Sequence, residues 1–168
     1  HHNPDVARVP TGAEALELIR GGGRFDLVIS TIQVGDMDAA ELARRVSRAQ
    51  PGLPVVLLAF NNRELTAFRA RQDTTALARI FLWQGDVRLV PAIVKSIEDR
   101  RNVEHDTSEL GVQTILVIED SVRYYSSFLP TIYAELMHHV HRLVPEGVNM
   151  SHKLMRLQAQ PKILLCGS

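Results

Sequence analysis

Three short apolar runs, separated by helical segments, constrain the fold of this chain most. They are FDLVIS at 25–30, PVVLLA at 54–59 and RIFLW at 79–83. Each run is long enough for a strand buried on both faces and too short for a typical helix. Strands that alternate with helices form parallel sheets with helices packed on both faces. The sequence therefore predicts an α/β protein with a doubly wound parallel sheet.

Helix-capping residues mark where the helices begin and end. Thr11 with Glu14 three residues later predicts a capping box, and Asp38 predicts the N-cap of a helix that starts at Ala39. Gly111 predicts the end of a long helix that starts near Val90. The remaining predicted segments are a strand or strand end at 5–9, a weaker helix at 63–77, a strand at 113–118, a helix from Ser121 to about Val144 kinked at Pro130, an amphipathic segment at 149–159 and a last strand, KILLC.

Composition gives no support for several classes of function. The 168 residues carry 19 basic and 19 acidic side chains, so a zero net charge gives no support for nucleic-acid or membrane-surface binding. Cys166 is the single cysteine, which rules out an intrachain disulfide and suits a reducing cytoplasm. No apolar run approaches the roughly 18 residues of a spanning helix. We therefore expect a cytoplasmic protein. Because the chain starts and ends abruptly, we also expect it to be a fragment of a longer protein.

Several of these segments resemble the receiver domains of response regulators. FDLVISTIQVGDMDAAELARRV is similar to a receiver's third strand and following loop, PVVLLAF to its fourth strand, RIFLWQGD to its fifth, and 88–98 to its last helix. The resemblance implies a flavodoxin-like sheet. It also implies a first domain at 1–98 that lacks the receiver's first strand and helix. Because the helix becomes wholly polar after Ile97, 99–111 is interpreted as a helical linker.

A second receiver-like segment follows the linker. LVIEDSVRYYSSFL resembles a receiver's first strand, acidic pair and first helix, and KILLCGS its second strand, so that 112–168 would be the opening of a second receiver. The motifs LWQGD, NVEHD and VIEDSVRYYSSFLP also resemble the amino-terminal region of bacterial proteins with a pyruvate-phosphate-dikinase-like, phosphoenolpyruvate/pyruvate-binding domain. The resemblance implies a regulatory module in two-component signalling.

The phosphorylation site implied by the resemblance is degenerate. A working receiver has an aspartate that accepts the phosphoryl group, a hydroxyl and a lysine that hold its oxygens, and an acidic pair that binds Mg²⁺. Thr31, Ala59 and Gln84 stand at the aspartate, hydroxyl and lysine positions. Neither a hydroxyl nor a methyl group can form an acyl phosphate, so the first domain is interpreted as a non-enzymatic pseudo-receiver that acts through protein–protein or interdomain contacts. The rival alignment makes Asp36 or Asp38 the acceptor.

The acidic pair of the second segment leaves two interpretations open. Glu119 and Asp120 follow a predicted strand, where a receiver binds Mg²⁺, and they would support an alternative function as a Mg²⁺-dependent phosphoaccepting receiver. Its acceptor would be Asp36, Asp38 or an aspartate outside this chain. The other interpretation is that the pair caps the helix near Ser121. A flavodoxin-like nucleotide binder is a third hypothesis, supported by the fold alone.

Aromatic and histidine residues also have two interpretations each. Phe81 stands where receivers have a switching aromatic, but a core strand residue is the favoured interpretation. Trp83 is either an interface anchor or a residue packed under its loop. His138, His139, His141 and His152 invite a metal-site hypothesis, but they lack carboxylate or cysteine partners at ligand spacing, so a solvated helix face is favoured.

The absence of a first strand leads to a prediction about strand pairing. In a receiver that strand is central, and its absence would leave buried backbone groups unpaired. We expect 114–118 to fill this position beside 25–30, either within one chain as a circular permutation or between two chains as a swapped homodimer. The other expected partner is a protein or an attached effector domain.

Overall fold

The structure is a computed structural model that describes residues 5–142 and 160–167, with the backbone alone for 140–142. The chain divides into two compact units, His1–Leu82 and Trp83–Ser168.

The first unit is built on a three-stranded parallel sheet flanked by helices. The strand order is β1 (Val28–Ser30), β4 (Val55–Ala59) and β5 (Arg79–Leu82), with Val28 opposite Val55 and Val56 opposite Arg79. This confirms the α/β class and is consistent with a flavodoxin-like fold. In chain order the elements are α1 (Gly12–Arg20), β1 (Val28–Ser30), β2 (Gln33–Val34), β3 (Met37–Asp38), α2 (Ala39–Ala49), β4 (Val55–Ala59), α3 (Asn62–Arg71) and β5 (Arg79–Leu82).

The central strand β4 forms the core of this unit. All five of its residues are buried, as the uninterrupted apolar run predicts for a strand covered on both faces. On the neighbouring strand, Phe81 has no exposed surface. Helix α2 contributes Leu42 and Val46, one turn apart on its buried face. Burial of these side chains stabilises the unit by roughly 1.5–3 kcal/mol for each large apolar residue.

The second unit combines two helices with a two-stranded parallel sheet. Strand β6 pairs with β7 in register from Thr114–Lys162 to Ile118–Cys166. The first helix packs on β7 and on the second helix, and it ends at Gly111, whose φ of +63° confirms the predicted glycine stop. The elements are α4 (Leu89–Leu110), β6 (Thr114–Ile118), α5 (Val122–Arg142) and β7 (Lys162–Cys166). Among the helices described here, none is long and apolar enough to cross a membrane.

Three sequence predictions need correction. Residues 5–9 form no strand, and the helix predicted at 63–77 ends at Arg71. Residues 114–118 do not pair with 25–30 within one chain, because β1-β4-β5 and β6-β7 are two separate sheets. The amphipathic segment at 149–159 lies outside the described residues. The predicted division into two receivers joined by a linker stays a prediction.

Candidate functional site

An open cleft of about 410 Å³ lies at the carboxyl ends of β1 and β4 in the first unit. In open α/β sheets, ligands bind outside the carboxyl ends of the strands. Thr31 follows β1, Ala59 ends β4, and both line this cleft as the sequence places them. The other lining residues are Ile32, Gln33, Leu58, Phe60, Glu64, Ala67, Phe68 and Arg71.

The two strand-end residues offer little reactive chemistry. The Oγ1 of Thr31 donates a hydrogen bond to the backbone carbonyl of Gln33 at 2.8 Å, so its proton is already engaged. The hydroxyl of Ser30 donates to the carbonyl of Thr31, also at 2.8 Å. Ala59 is 1% exposed and presents only a methyl group. The ends of β1 and β4 therefore carry no carboxylate.

The two aspartates of the following hairpin cap helices. Asp36 Oδ1 accepts from the backbone N–H of Gly12 at 2.8 Å, and its Oδ2 accepts from that of Ala13 at 3.2 Å. Asp38 Oδ1 accepts from the backbone N–H of Glu41 at 2.9 Å, which confirms the predicted N-cap. Both carboxylates thus satisfy N–H groups that a helix N-terminus leaves without a partner.

Close packing holds the hairpin against the start of α1. A Cβ atom at Gly12 would lie 2.5 Å from the sulfur of Met37, so this position has room for glycine alone unless Met37 moves. Gly35 turns the hairpin with a φ of +67°, a conformation that favours glycine. Thr11 caps the same helix by accepting from the N–H of Glu14 at 3.2 Å, as predicted. The polar turn after β1 therefore has a structural role, because it packs against the start of α1 and caps that helix.

Gln84, the residue at the lysine position, belongs to the second unit. Its side-chain Nε2 donates to the backbone carbonyl of Arg123 at 2.9 Å. Trp83 is half-buried in that unit, and its role as an interface anchor stays a prediction. Phe81 belongs to the first unit and lies in its core, the interpretation that the sequence favoured.

The Glu119–Asp120 pair provides few ligands for a divalent cation. Glu119 Oε1 accepts from the backbone N–H of Ser121 at 2.8 Å, at the start of α5, while Asp120 is exposed. Mg²⁺ prefers six oxygen ligands in an octahedron. Within the described ranges, no group of three or more His, Cys, Asp or Glu side chains could hold a metal ion. Because Mg²⁺ usually keeps several waters and takes only one or two carboxylates from a protein, the absence of a larger group does not decide the question, and Mg²⁺ binding at the pair stays a prediction.

The histidine hypothesis is described only in part. His138 and His139 are exposed on α5, as the favoured solvated-face interpretation expects. The side chain of His141 and the whole of His152 lie outside the described residues.

A buried ionic cluster in the second unit was missed at the level of sequence. Asp99 has no exposed surface, and its Oδ2 accepts from the Tyr133 hydroxyl and from the backbone N–H of Ile163, each at 3.0 Å. Its Oδ1 lies 3.2 Å from Lys95 Nζ and 3.7 Å from Lys162 Nζ. Helix α4, interpreted as a polar linker at this point, thus directs one carboxylate into the packed interior of the unit.

Charge balance inside this cluster shifts two pKa values. Burial opposes the charged form of Lys95, but attraction to Asp99 and Glu98 outweighs it and raises the pKa of the ammonium. Burial and the negative charge of Asp99 together raise the pKa of the Tyr133 hydroxyl well above its usual range. Lys162 also pairs with Asp106, with 2.6 Å between Nζ and Oδ2. The spacing Lys95-x-x-x-Asp99, one helical turn, was the available sequence signal.

Comparison with known proteins finds similarity over part of the chain. The transcriptional regulatory proteins GlrR of Escherichia coli K12 and QseF of Escherichia coli O157:H7 are each 32% identical to it over 68 residues. This segment is 40% of the present chain and 15% of each relative, so the chain spans a small part of the curated relatives it matches. No family model matches. No solved structure matches either. The comparisons therefore show that part of this α/β chain is similar to transcriptional regulatory proteins.

Proposed function

We propose that the chain is a non-enzymatic signal-transduction module, a pseudo-receiver that acts through contacts with a protein partner or an attached effector domain in the cytoplasm. The parallel sheet and the similarity to transcriptional regulatory proteins support a receiver-like module. The proposed loss of phosphoryl transfer has a separate basis, the chemistry of the strand ends.

The observation that carries the proposal is the contrast between the strand ends and the hairpin. Thr31 and Ala59 line the cleft with a hydroxyl and a methyl group. Asp36 and Asp38 use their carboxylates to cap α1 and α2. An acyl phosphate on either aspartate would make one carboxyl oxygen the bridging oxygen and remove the charge of the carboxyl group, which weakens these bonds; complete loss of a cap costs about 0.5–2 kcal/mol.

The cleft has features suited to a protein contact. Phe60 is 58% exposed at its rim, and large aromatic side chains are enriched in protein interfaces. Glu64 and Arg71 add one charge of each sign to the lining. Signal output in this proposal is a change in what this surface binds, and it needs no covalent modification.

The alternative, a Mg²⁺-dependent phosphoaccepting receiver, requires the pair in the second unit to bind metal. Glu119 would have to exchange its hydrogen bond with the Ser121 N–H for a metal ligand. The alternative also needs an acceptor at Asp36, at Asp38 or outside this chain. The two functions differ in whether the chain responds to Mg²⁺ and to a mimic of a phosphoryl group, which can be measured.

Amide NMR of the whole chain, titrated with Mg²⁺ and then with beryllofluoride, tests the proposal. Beryllofluoride mimics a phosphoryl group on an aspartate. We expect no localised shift at the amides of Thr31, Ala59 or Phe60. Shifts confined to these amides or to Asp36 and Asp38 would overturn the proposal. An active receiver titrated in parallel is the control for the reagent.

A further inference from the structure

Strand β6 is an apolar strand that the second unit leaves exposed. Its sequence is TILVI, yet Ile115, Leu116 and Ile118 are 41%, 58% and 77% exposed. Proteins protect open strand edges with charged residues, proline or bulges, and β6 has no charge and no proline. An apolar strand of this kind normally lies inside a sheet.

The open edge of β6 can be assigned from its hydrogen bonds. The carbonyl of Gln113 accepts from the N–H of Lys162, and the N–H of Glu119 donates to the carbonyl of Cys166. Odd-numbered residues of β6 therefore direct their backbone groups toward β7. By the alternation of a parallel ladder, Thr114, Leu116 and Ile118 direct theirs to the opposite edge.

The other edge of this two-stranded sheet is covered. The N–H of Ile163 points away from β6 and donates to Asp99 Oδ2 at 3.0 Å. Helix α4 also packs on β7 along this side of the unit. Among the described residues of the second unit, the free strand edge is thus that of β6.

Strand β1 has a matching open edge in the first unit. The N–H of Val28 donates to the carbonyl of Pro54, so Val28 and Ser30 direct their backbone groups toward β4. Ile29 directs its own groups to the opposite edge, and its side chain is 38% exposed. β1 also carries no charge and no proline.

We propose that two copies of this chain associate by pairing β6 of one copy with β1 of the other in parallel. The resulting strand order, β7-β6-β1-β4-β5, places the most exposed apolar strand at the centre of a five-stranded parallel sheet. It is the order 2-1-3-4-5 of flavodoxin-like sheets, with β7 and β6 in the first two places. The exchange is independent of the proposed function.

A second copy suits these edges in charge and in symmetry. Both strands are uncharged, so no like charges oppose the pairing. A two-fold dimer forms the β6–β1 contact twice, which doubles the buried area. Since a specific interface buries upwards of about 1,000 Å² in total, each contact must bury about 500 Å². The main-chain pairing and the exposed side chains of Ile29, Leu116 and Ile118 would supply that area.

Light scattering and sedimentation of the whole chain test the association. We expect a dimer, and we expect Leu116→Lys and Ile29→Lys each to raise its dissociation constant more than about tenfold, since a charge on either edge must be buried. Val87→Lys is the matched control, because Val87 is 75% exposed and lies in the turn before α4. It should remain dimeric. Circular dichroism verifies that each variant is folded.

Mixing the two edge variants distinguishes exchange from other pairings. The Ile29→Lys chain keeps an intact β6, and the Leu116→Lys chain keeps an intact β1. A mixture can therefore form one unaltered contact, and we expect a heterodimer where each variant alone is a monomer. A monomeric wild type, an Ile29→Lys variant that dimerises like wild type, or a mixture that stays monomeric well above the wild-type dissociation constant would each overturn the proposal.

Discussion

The Tyr133 hydroxyl donates to Oδ2 of Asp99 at 3.0 Å, across 34 residues of sequence, and the carboxylate has no exposed surface. This bond joins α5 to α4. The same oxygen accepts from the backbone of β7 at Ile163. One buried carboxylate thus connects three elements of the second unit.

Replacing Tyr133 with phenylalanine should destabilise the chain by about 1.5–3 kcal/mol, the usual contribution of a hydrogen bond to a charged group. The ring is kept, so the loss reports on the hydroxyl alone. Urea unfolding measures the change. Tyr124→Phe is the control, because Tyr124 is 60% exposed on the same helix, and its effect should stay within about 0.5 kcal/mol. Equal stability of the two variants would contradict the role of the Asp99 bond.

Replacing Asp99 with asparagine should cost more, about 3–5 kcal/mol, because it removes the negative partner of the buried Lys162 and of the partly buried Lys95. Lys162 is 4% exposed and would keep Asp106 alone as its counter-charge. Glu98→Gln is the matched control one residue away. The Glu98 side chain is 53% exposed, and its pairing with Lys95 should contribute less than about 1 kcal/mol. A ranking in which Glu98→Gln is the more damaging variant would disprove this account.

The same cluster predicts how stability depends on pH in the alkaline range. The folded-state pKa values of Lys95 and Tyr133 are both raised above their ordinary values of 10.5 and 10.0. Above about pH 10 the unfolded chain therefore binds fewer protons than the folded chain, and the free energy of unfolding should fall as the pH rises. Each proton contributes a slope of at most about 1.4 kcal/mol per pH unit.

Tyr133→Phe should make that alkaline slope shallower, since one of the linked protons is removed. Chemical unfolding at a series of pH values measures both slopes. Phenolate absorbance gives an independent readout, because Tyr133 should ionise only when the chain unfolds. Identical slopes in the two proteins would show that the hydroxyl is not linked to folding.

Replacing Asp36 with alanine should destabilise the first unit by about 0.5–2 kcal/mol, because two N–H groups at the start of α1 lose their acceptor. Asp36→Asn is the matched variant. It keeps a side-chain oxygen and should lose less. Thermal unfolding of both variants checks the order. An alanine variant as stable as wild type would show that the carboxylate is not a cap, and it would return Asp36 to the set of candidate acceptors.

Local rules explain what the sequence predicted well. Asp38 caps a helix that begins at the next residue, and Val55–Ala59 is buried on both faces because its apolar run is uninterrupted. The positions of Thr31 and Ala59 at the strand ends follow from the same runs. Each of these features depends on neighbours within a few residues. Hydrophobic periodicity and capping patterns are therefore enough to predict them.

Long-range partners explain what the sequence did not predict. Asp36 meets Gly12 across 24 residues, and Asp99 meets Ile163 across 64. Apart from its spacing of one helical turn from Lys95, no local pattern distinguishes Asp99 from the other acidic residues around it on α4. The bond from Gln84 to the Arg123 carbonyl, across 39 residues, is a further case. The sequence shows only that these polar residues lie in polar segments. Their hydrogen-bond partners depend on how distant parts of the chain pack together.

We infer that the strand ends of the first unit do not accept a phosphoryl group. Incubation of the whole chain with acetyl phosphate and Mg²⁺, followed by intact mass measurement, tests it most directly. We expect an unmodified mass for the wild type under conditions in which an active receiver gains one phosphoryl group. An acid-labile adduct of one phosphoryl group, located by peptide mapping at Asp36, at Asp38 or at another aspartate of the first unit, would overturn this inference.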